Sequence, residues 1–151
     1  MPGKFPLRET AYNTPVSDAS NGHRIGVIVV DHGSVRDEAN EVVEQFVQLL
    51  DAHSGYRIIE PAHMELAEPS IATALDRCVD RGAQRIVVAP YFLSPGKHWD
   101  QDIPRLTGQA AKNHPEVSCR ITHPIGLHPL MVEIIGSRIA ECLTDLEREG
   151  G

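Results

Sequence analysis

Histidine and acidic residues follow three apolar segments of this sequence, and side chains of these types can bind a divalent metal. His32 follows the apolar run Ile25–Val30, His63 and Glu65 follow a second apolar segment, and His98 lies beyond a third. Imidazole is a ligand for Fe, Co, Ni and Zn, and near neutral pH it also accepts protons. These residues are far apart in the sequence, so their spacing alone does not define a metal site, unlike a compact motif such as HExxH.

The segments that carry these residues alternate between predicted strands and predicted helices. Apolar runs predict four strands, at Ile25–Asp31, Tyr56–Ala62, Arg85–Leu93 and Val117–Thr122. Apolar residues spaced three and four apart predict helices at Asp37–His53, from Ser70 to a C-cap at Gly82, from an N-cap at Asp102 to Asn113, and from Pro129 onward. Because no hairpin signal separates the strands, the pattern predicts an α/β fold with a single open, mainly parallel four-stranded sheet and helices on both faces.

In a parallel sheet the loops that follow neighbouring strands open at the same edge, which is where ligands of α/β proteins bind. We therefore expect His32, Glu65 and His98 to converge on one cleft. A histidine in such a loop can also do no more than stabilise its own turn by hydrogen bonding. This alternative stays open for both His32 and His98. Of the two nearby acids, Glu68 is the one expected to favour the start of the second helix. His63 is either a further site residue or a structural hydrogen-bond partner.

Hydroxyl and cationic side chains in the same loops can bind anionic groups of a ligand. They are Ser34, Arg36, Ser94 and Lys97. A guanidinium group is well suited to a carboxylate, whereas the simpler interpretation is ordinary turn and surface chemistry. Trp99, Tyr91 and Phe92 could flank a flat ligand, although Phe92 is expected mainly in the core.

The composition restricts the classes of protein to which the chain can belong. Its 151 residues carry a formal net charge of -7 and no basic run, which argues against a nucleic-acid partner. No apolar run approaches the ~18 residues of a membrane span, and the first residues lack the apolar core of a signal peptide. The three cysteines form no CxxC pair, which is typical of reduced thiols and predicts a cytoplasmic protein. We expect a disordered tail at residues 1–24 and one domain at residues 25–148.

Three segments of the sequence resemble one enzyme family. They are Val30-Asp31-His32-Gly33-Ser34, the segment from Glu60 to Ser70 (EPAHMELAEPS) and the segment from Pro90 to Pro104 (PYFLSPGKHWDQDIP). With the elements around them they are similar to the sirohydrochlorin chelatases, the small class II chelatases of the CbiX or SirB type, and most of all to the plant-type ferrochelatases of sirohaem synthesis. The likeness extends over residues 25–146, and the third segment is long enough to be specific.

The resemblance implies a chelatase-like, flavodoxin-like fold and the insertion of a divalent metal into sirohydrochlorin, a polycarboxylate tetrapyrrole, without ATP or an organic cofactor. The two active-site histidines of the family correspond to His32 and His98, and its acidic residue corresponds to Glu65. The metal is a substrate: the plant-like segments favour Fe²⁺, Co²⁺ is the alternative, and Ni²⁺ is less expected. Carboxylates of the macrocycle are expected on Ser34, Arg36, Ser94, Gly96 and Lys97. Relatives of this length are generally homodimers.

Two other functions compete with metal insertion. A histidine phosphatase also has a His-Gly pair, but it needs an arginine before the histidine, where this sequence has Asp31, whose charge repels a phosphate. A non-catalytic carrier of metal or tetrapyrrole would use the same cleft and stays open as an alternative. Many bacterial relatives have a glycine before the histidine, where this sequence has Asp31. The resemblance therefore does not define the polarity of the surroundings of His32.

Overall fold

The computed structural model describes residues 24–149, so the predicted tail lies outside the described residues except for Arg24. The strands are β1 (Ile25–Asp31), β2 (Ile58–His63), β3 (Arg85–Pro90) and β4 (Ser118–Ile121). The helices are α1 (Asp37–His53), α2 (Ile71–Asp80), α3 (Ile103–Ala111) and α4 (Leu130–Glu149), and a π-helical turn (His98–Asp102) precedes α3. Residues 24–126 belong to one compact unit, and residues 127–149 belong to a second.

All four strands are parallel and lie in the order β2-β1-β3-β4. This arrangement confirms the predicted fold class. Pro61 lies in β2, which is an edge strand, as expected for a residue that cannot donate a backbone hydrogen bond to a second neighbour. Strand β1 lies in the interior of the sheet, so the loop that carries His32 has a loop from another strand on either side.

Alternate residues of β1 enter two different apolar clusters. Ile28 and Val30 pack with residues of α2 and α3, whereas Val27 and Val29 pack with residues of α1. Helices therefore cover both faces of the sheet around β1, which explains why this strand is apolar at successive positions. A strand buried on both faces is a rigid support for the loop that follows it.

Helix α4 is described by itself. Five of its large apolar side chains are about half exposed, namely Ile134, Ile135, Ile139, Leu143 and Leu146. Among the described residues, no helix combines the length and the apolar character needed to cross a membrane.

Candidate active site

The loops that follow β1 and β2 stay hydrogen-bonded to each other beyond the ends of the strands. The backbone N–H of Met64 donates to the Asp31 carbonyl at 2.9 Å, and that of Glu65 donates to the His32 carbonyl at 3.1 Å. Gly33 has a φ of +86°, and a Cβ at this position would collide with the carbonyl oxygen of Glu65. Only glycine combines this backbone conformation with such a close approach of the two loops.

This approach places the side chain of Glu65 against that of His32. The Nε2 atom of His32 lies 3.0 Å from Oε1 of Glu65, and its Nδ1 atom lies 3.1 Å from the carbonyl oxygen of Gly33. Both neighbours of the ring are oxygen acceptors, and the contact with Glu65 is an ion pair whenever His32 is protonated. Both side chains are about half exposed, at 44% and 51%, which leaves them accessible to a ligand.

His98 reaches the same place from the π-helical turn after β3. Its ring centroid lies 4.9 Å from that of His32, with the two ring planes at 75°. The Nδ1 atom of His98 lies 2.9 Å from Oδ2 of Asp102. This hydrogen bond holds the pKa of the Asp102 carboxyl below its usual value, and Arg105 lowers the pKa further. With Nδ1 engaged, Nε2 is the ring nitrogen of His98 that is left for a metal.

The side chain of Asp102 does not cap α3, so this part of the prediction is wrong. Asp102 does stand immediately before the helix, but it has helical backbone angles, and its side chain makes no capping hydrogen bond. An N-cap residue instead has extended backbone angles. The carboxylate is used on His98, one turn earlier in the chain.

A cleft of about 360 Å³ lies beside the two histidines. Its lining consists of His32, Tyr91, Phe92, Leu93, Ser94, Pro95, Gly96, His98 and Trp99. Strand β3 ends at Pro90 rather than at Leu93 as predicted, and Leu93 is 65% exposed. The indole Nε1 of Trp99 donates to the carbonyl oxygen of Thr122 at 3.1 Å, which holds the π-helical turn against the segment after β4. The cleft thus combines apolar surface with two imidazoles.

The remaining predicted residues are divided between this cleft and its surroundings. Ser94 and Gly96 line the cleft with the histidines. Ser34 instead lines a separate cavity of about 420 Å³, and its hydroxyl oxygen accepts a hydrogen bond from the backbone N–H of Arg36 at 3.0 Å. Arg36 and Lys97 are exposed and line neither of these two cavities.

Two nearby residues have structural partners. His63 is fully buried, and its Nδ1 atom lies 2.6 Å from Oδ1 of Asp31, so it is a structural hydrogen-bond partner. Glu68 accepts hydrogen bonds from the backbone N–H of Ser70 at 2.8 Å and from the hydroxyl of Thr73 at 2.9 Å, as expected for an acid at the start of α2.

Sequence reasoning missed the role of Asp102, although a signal was present. An acid four residues after a histidine is within reach of it on a helix. The partnership of Asp31 with His63 has no such local signal, because it depends on the register of two strands.

The three candidate ligands are close together but are not arranged around a common point. Within residues 24–149, no group of three or more histidine, cysteine or acidic side chains forms a ready-made metal site. In this state the His32 ring and the Glu65 carboxylate are in direct contact, with Nε2 and Oε1 3.0 Å apart. A metal that binds both of them has to displace any proton on Nε2 of His32.

Comparison with known proteins identifies relatives of this chain. The sequence model of the CbiX family matches residues 26–142. The chain is 51% identical over 126 residues to the chloroplastic sirohydrochlorin ferrochelatase of Arabidopsis thaliana, a match that covers 83% of this chain and 56% of the relative.

Two solved structures have the same fold. SirB from Bacillus subtilis with Fe³⁺ aligns with a TM-score of 0.74 and 29% identity, covering 79% of this chain and 47% of that one. The sirohydrochlorin chelatase SirB from B. subtilis subspecies spizizenii in complex with cobalt aligns with a TM-score of 0.74 and 30% identity, covering 78% and 50%. The chain thus spans about half the length of these three relatives. Since the family sequence model matches most of its residues, the chain belongs to the CbiX family.

Proposed function

We propose that this chain inserts a divalent metal into sirohydrochlorin, with Fe²⁺ as the favoured metal and Co²⁺ as the alternative. The observation that carries the proposal is the meeting of His32, Glu65 and His98, from three separate loops, beside one cleft. Membership of the CbiX family supports it, as do the names of the relatives, which include a sirohydrochlorin ferrochelatase and a SirB chelatase in complex with cobalt. The chain is 51% identical to the sirohydrochlorin ferrochelatase and 30% identical to the SirB chelatase in complex with cobalt, and this difference favours iron.

The proposed site binds the incoming metal only loosely. The metal binds Nε2 of His32, a carboxylate oxygen of Glu65 and Nε2 of His98, while water completes its coordination. A closed cage of four protein ligands is typical of structural metal sites and would retain the ion. With half-exposed ligands, the metal can pass from the protein to the macrocycle.

Proton balance assigns a second role to the same residues. A tetrapyrrole loses two N–H protons for each divalent metal that it takes up. As the metal leaves, the lone pair of His32 and the carboxylate of Glu65 become free, and these two groups can accept the two protons. Exchange with solvent then returns the site to its starting state, which half-exposed side chains allow.

The cleft supplies the proposed platform for the macrocycle. Trp99 and the apolar residues Phe92 and Leu93 offer surface to a flat ring system, and Ser94 and Gly96 offer polar groups at the same place. We assign the more distant carboxylates of the macrocycle to Arg36 and Lys97, because both are exposed cations on the loops that carry the two histidines. We assign Ser34 to the same carboxylates, because it lies between His32 and Arg36 in the sequence.

The proposed activity is tested with purified protein, sirohydrochlorin and Fe²⁺ or Co²⁺ under anaerobic conditions. We expect the absorption spectrum of the macrocycle to change to that of the metal complex, with many turnovers for each protein chain and a higher initial rate with Fe²⁺. Binding of metal and macrocycle without turnover would instead support a carrier. A rate no higher than the rate without protein, together with no binding, would contradict both functions.

We further propose that residues 25–148 act as a chelatase domain that pairs with a second copy of the chain. Support comes from the half-exposed apolar side chains of α4, because a surface of this kind is stabilised by burial against a partner. An Ile139→Asp substitution should convert a dimer to a monomer in light scattering, whereas Ser137→Asp on the same helix should leave it intact. A monomeric unsubstituted chain would contradict the proposal.

A reducing compartment such as the cytoplasm is proposed on the basis of the cysteines. Cys78, Cys119 and Cys142 are all unpaired. Burial raises the pKa of the Cys78 thiol to about 12, so it stays protonated and unreactive. The plant relative is named as chloroplastic, which describes that protein.

A further inference from the structure

The carboxylate of Asp102 has an unusual position for a residue that precedes a helix. The π-helical turn closes with a hydrogen bond from the backbone N–H of Ile103 to the carbonyl oxygen of His98, five residues apart. In this turn the Asp102 side chain points back to His98, and its Oδ2 lies 2.9 Å from Nδ1 of the ring. Its other oxygen, Oδ1, faces Arg105 at 3.6 Å. The carboxylate thus connects a cation on α3 with a candidate metal ligand.

The two candidate ligand histidines are oriented by different kinds of group. The Nδ1 atom of His32 faces a backbone carbonyl, that of Gly33, which is present whatever the side chain. The Nδ1 atom of His98 faces a side chain, that of Asp102. A carboxylate at Nδ1 holds the proton on that nitrogen, leaves a lone pair on Nε2 and increases the ability of Nε2 to bind a metal. The orientation of His98 therefore depends on a residue that can be substituted.

The backbone of the turn does not depend on the same carboxylate. Trp99 connects the turn to the segment after β4 through its hydrogen bond to the Thr122 carbonyl, and its ring packs against that of His123 at a centroid distance of 5.6 Å. Ile103, which follows Asp102, is fully buried in the core. A substitution of Asp102 should consequently release the His98 ring while the turn stays in place.

We propose that Asp102 is a positioning residue, which holds His98 in the tautomer and orientation that present Nε2 to the metal. This inference rests on the proposed function, because it assumes that His98 is a metal ligand. It predicts that loss of the carboxylate weakens metal binding by a chain that is still folded.

The test compares four proteins: the unsubstituted chain, Asp102→Ala, Asp102→Asn and Asp100→Ala. Asp100 is the matched control, because it is an exposed acid in the same π-helical turn and has no ion pair with a histidine among the described residues. Each protein is titrated with Co²⁺ in the absence of tetrapyrrole, and the visible absorption of the bound metal gives both affinity and coordination. Circular dichroism and the thermal unfolding midpoint show whether each variant is folded.

We expect Asp102→Ala to bind Co²⁺ about 10- to 100-fold more weakly, with an altered absorption spectrum, as for other carboxylates that orient a metal-binding histidine. Asp102→Asn keeps an acceptor oxygen and should recover part of the affinity, and Asp100→Ala should match the unsubstituted chain. In turnover assays the loss should fall mainly on the KM for the metal rather than on kcat.

Several results would overturn the proposal. They are an unchanged Co²⁺ affinity in Asp102→Ala, an equal loss in Asp100→Ala, and an unsubstituted chain that binds no Co²⁺. The titration contains no sirohydrochlorin, so it is independent of the proposed reaction. A chain whose Co²⁺ affinity depends on Asp102 but which inserts no metal would contradict the proposed function and leave the positioning role supported.

Discussion

The Nδ1 atom of His63 lies 2.6 Å from Oδ1 of Asp31, and the two residues occupy paired positions at the ends of β2 and β1. The His63 ring is fully buried, and its Nε2 atom has no hydrogen-bond partner within residues 24–149. His32 follows Asp31 directly, and Glu65 lies two residues after His63. The buried pair therefore joins the two strands immediately below the candidate site.

Removal of the Asp31 carboxylate should destabilise the fold. In Asp31→Leu the Nδ1 group of the buried His63 ring has no partner, which costs about 1–3 kcal/mol in the free energy of unfolding. Asp31→Asn keeps an acceptor oxygen and should lose less. Urea denaturation measures each difference.

The pair of His114 and Asp76 provides the control for this prediction. Its atoms are also 2.6 Å apart, but the Asp76 side chain is 57% exposed. Asp76→Leu should change the free energy of unfolding by no more than about 0.5 kcal/mol. Equal losses of unfolding free energy in Asp31→Leu and Asp76→Leu would show that burial of the histidine–aspartate pair does not determine the size of the loss.

Gly33 should tolerate no side chain. In Gly33→Ala the residue has to adopt a left-handed conformation, at about 1–2 kcal/mol, and the loop also has to move away from Glu65, whose carbonyl oxygen the new Cβ would strike. Both changes lower stability, and the second also separates His32 from Glu65 and slows metal insertion. Thermal unfolding and initial rates measure the two effects.

Gly108→Ala is the matched substitution for Gly33→Ala. Gly108 lies inside α3, and no described atom is within 4 Å of the position that its Cβ would occupy. The substitution should raise stability by roughly 0.5–1 kcal/mol. A Gly33→Ala variant that is as stable and as active as the unsubstituted chain would contradict the proposed approach of the loops.

The contribution of Glu68 to stability should depend on pH. The hydrogen bond from the Ser70 backbone, followed by that from the Thr73 hydroxyl, lowers the pKa of Glu68 below its ordinary value of 4.5. A carboxylate whose pKa is lower in the folded state stabilises the fold above the unfolded pKa, and this contribution disappears as the pH falls through the folded pKa. Glu68→Gln should therefore be less stable than the unsubstituted chain at neutral pH, with a difference that shrinks in acid.

Unfolding midpoints from neutral pH down to about pH 3 test this dependence. Glu44→Gln, on the exposed side of α1, is the control and should show a much smaller change. Because Glu68 is itself largely exposed, the difference is expected to be small but to have a definite sign. A difference that grows as the pH falls would contradict the assignment.

Substitution of either histidine should abolish metal insertion without unfolding the chain. His32 and His98 are about half exposed, so His32→Ala and His98→Ala remove ligands rather than core contacts. Circular dichroism should show an unchanged fold, while turnover of sirohydrochlorin falls to the rate without enzyme. His53→Ala, in an exposed histidine at the end of α1, should retain full activity. Near-normal turnover in both site variants would contradict the assignment.

Much of the fold could be predicted because its signals are local. The bounds of β1 and α1 are those that the apolar pattern predicts, since a strand buried on both faces and an amphipathic helix have distinct periods. The meeting of three distant residues followed from parallel topology, since their loops open at one edge. Ser94 and Gly96 lie at that edge. The positions of the Arg36 and Lys97 side chains depend instead on loop conformations, which the apolar periodicity of the sequence does not predict.

The features that escaped prediction depend on tertiary structure. Aspartate is a common N-cap residue, but the π-helical turn directs the carboxylate of Asp102 to His98. The pairing of Asp31 with His63 requires the register of β1 against β2.

The most direct test of the proposed site is a crystal structure of this protein with Co²⁺ bound, in which anomalous scattering locates the metal. We expect one Co²⁺ per chain at about 2.0–2.2 Å from Nε2 of His32, Nε2 of His98 and a carboxylate oxygen of Glu65, as is typical of first-row metals with these ligands. The Nδ1 atom of His98 should still face Asp102. A metal held by other residues, or by only one of the two histidines, would contradict the account.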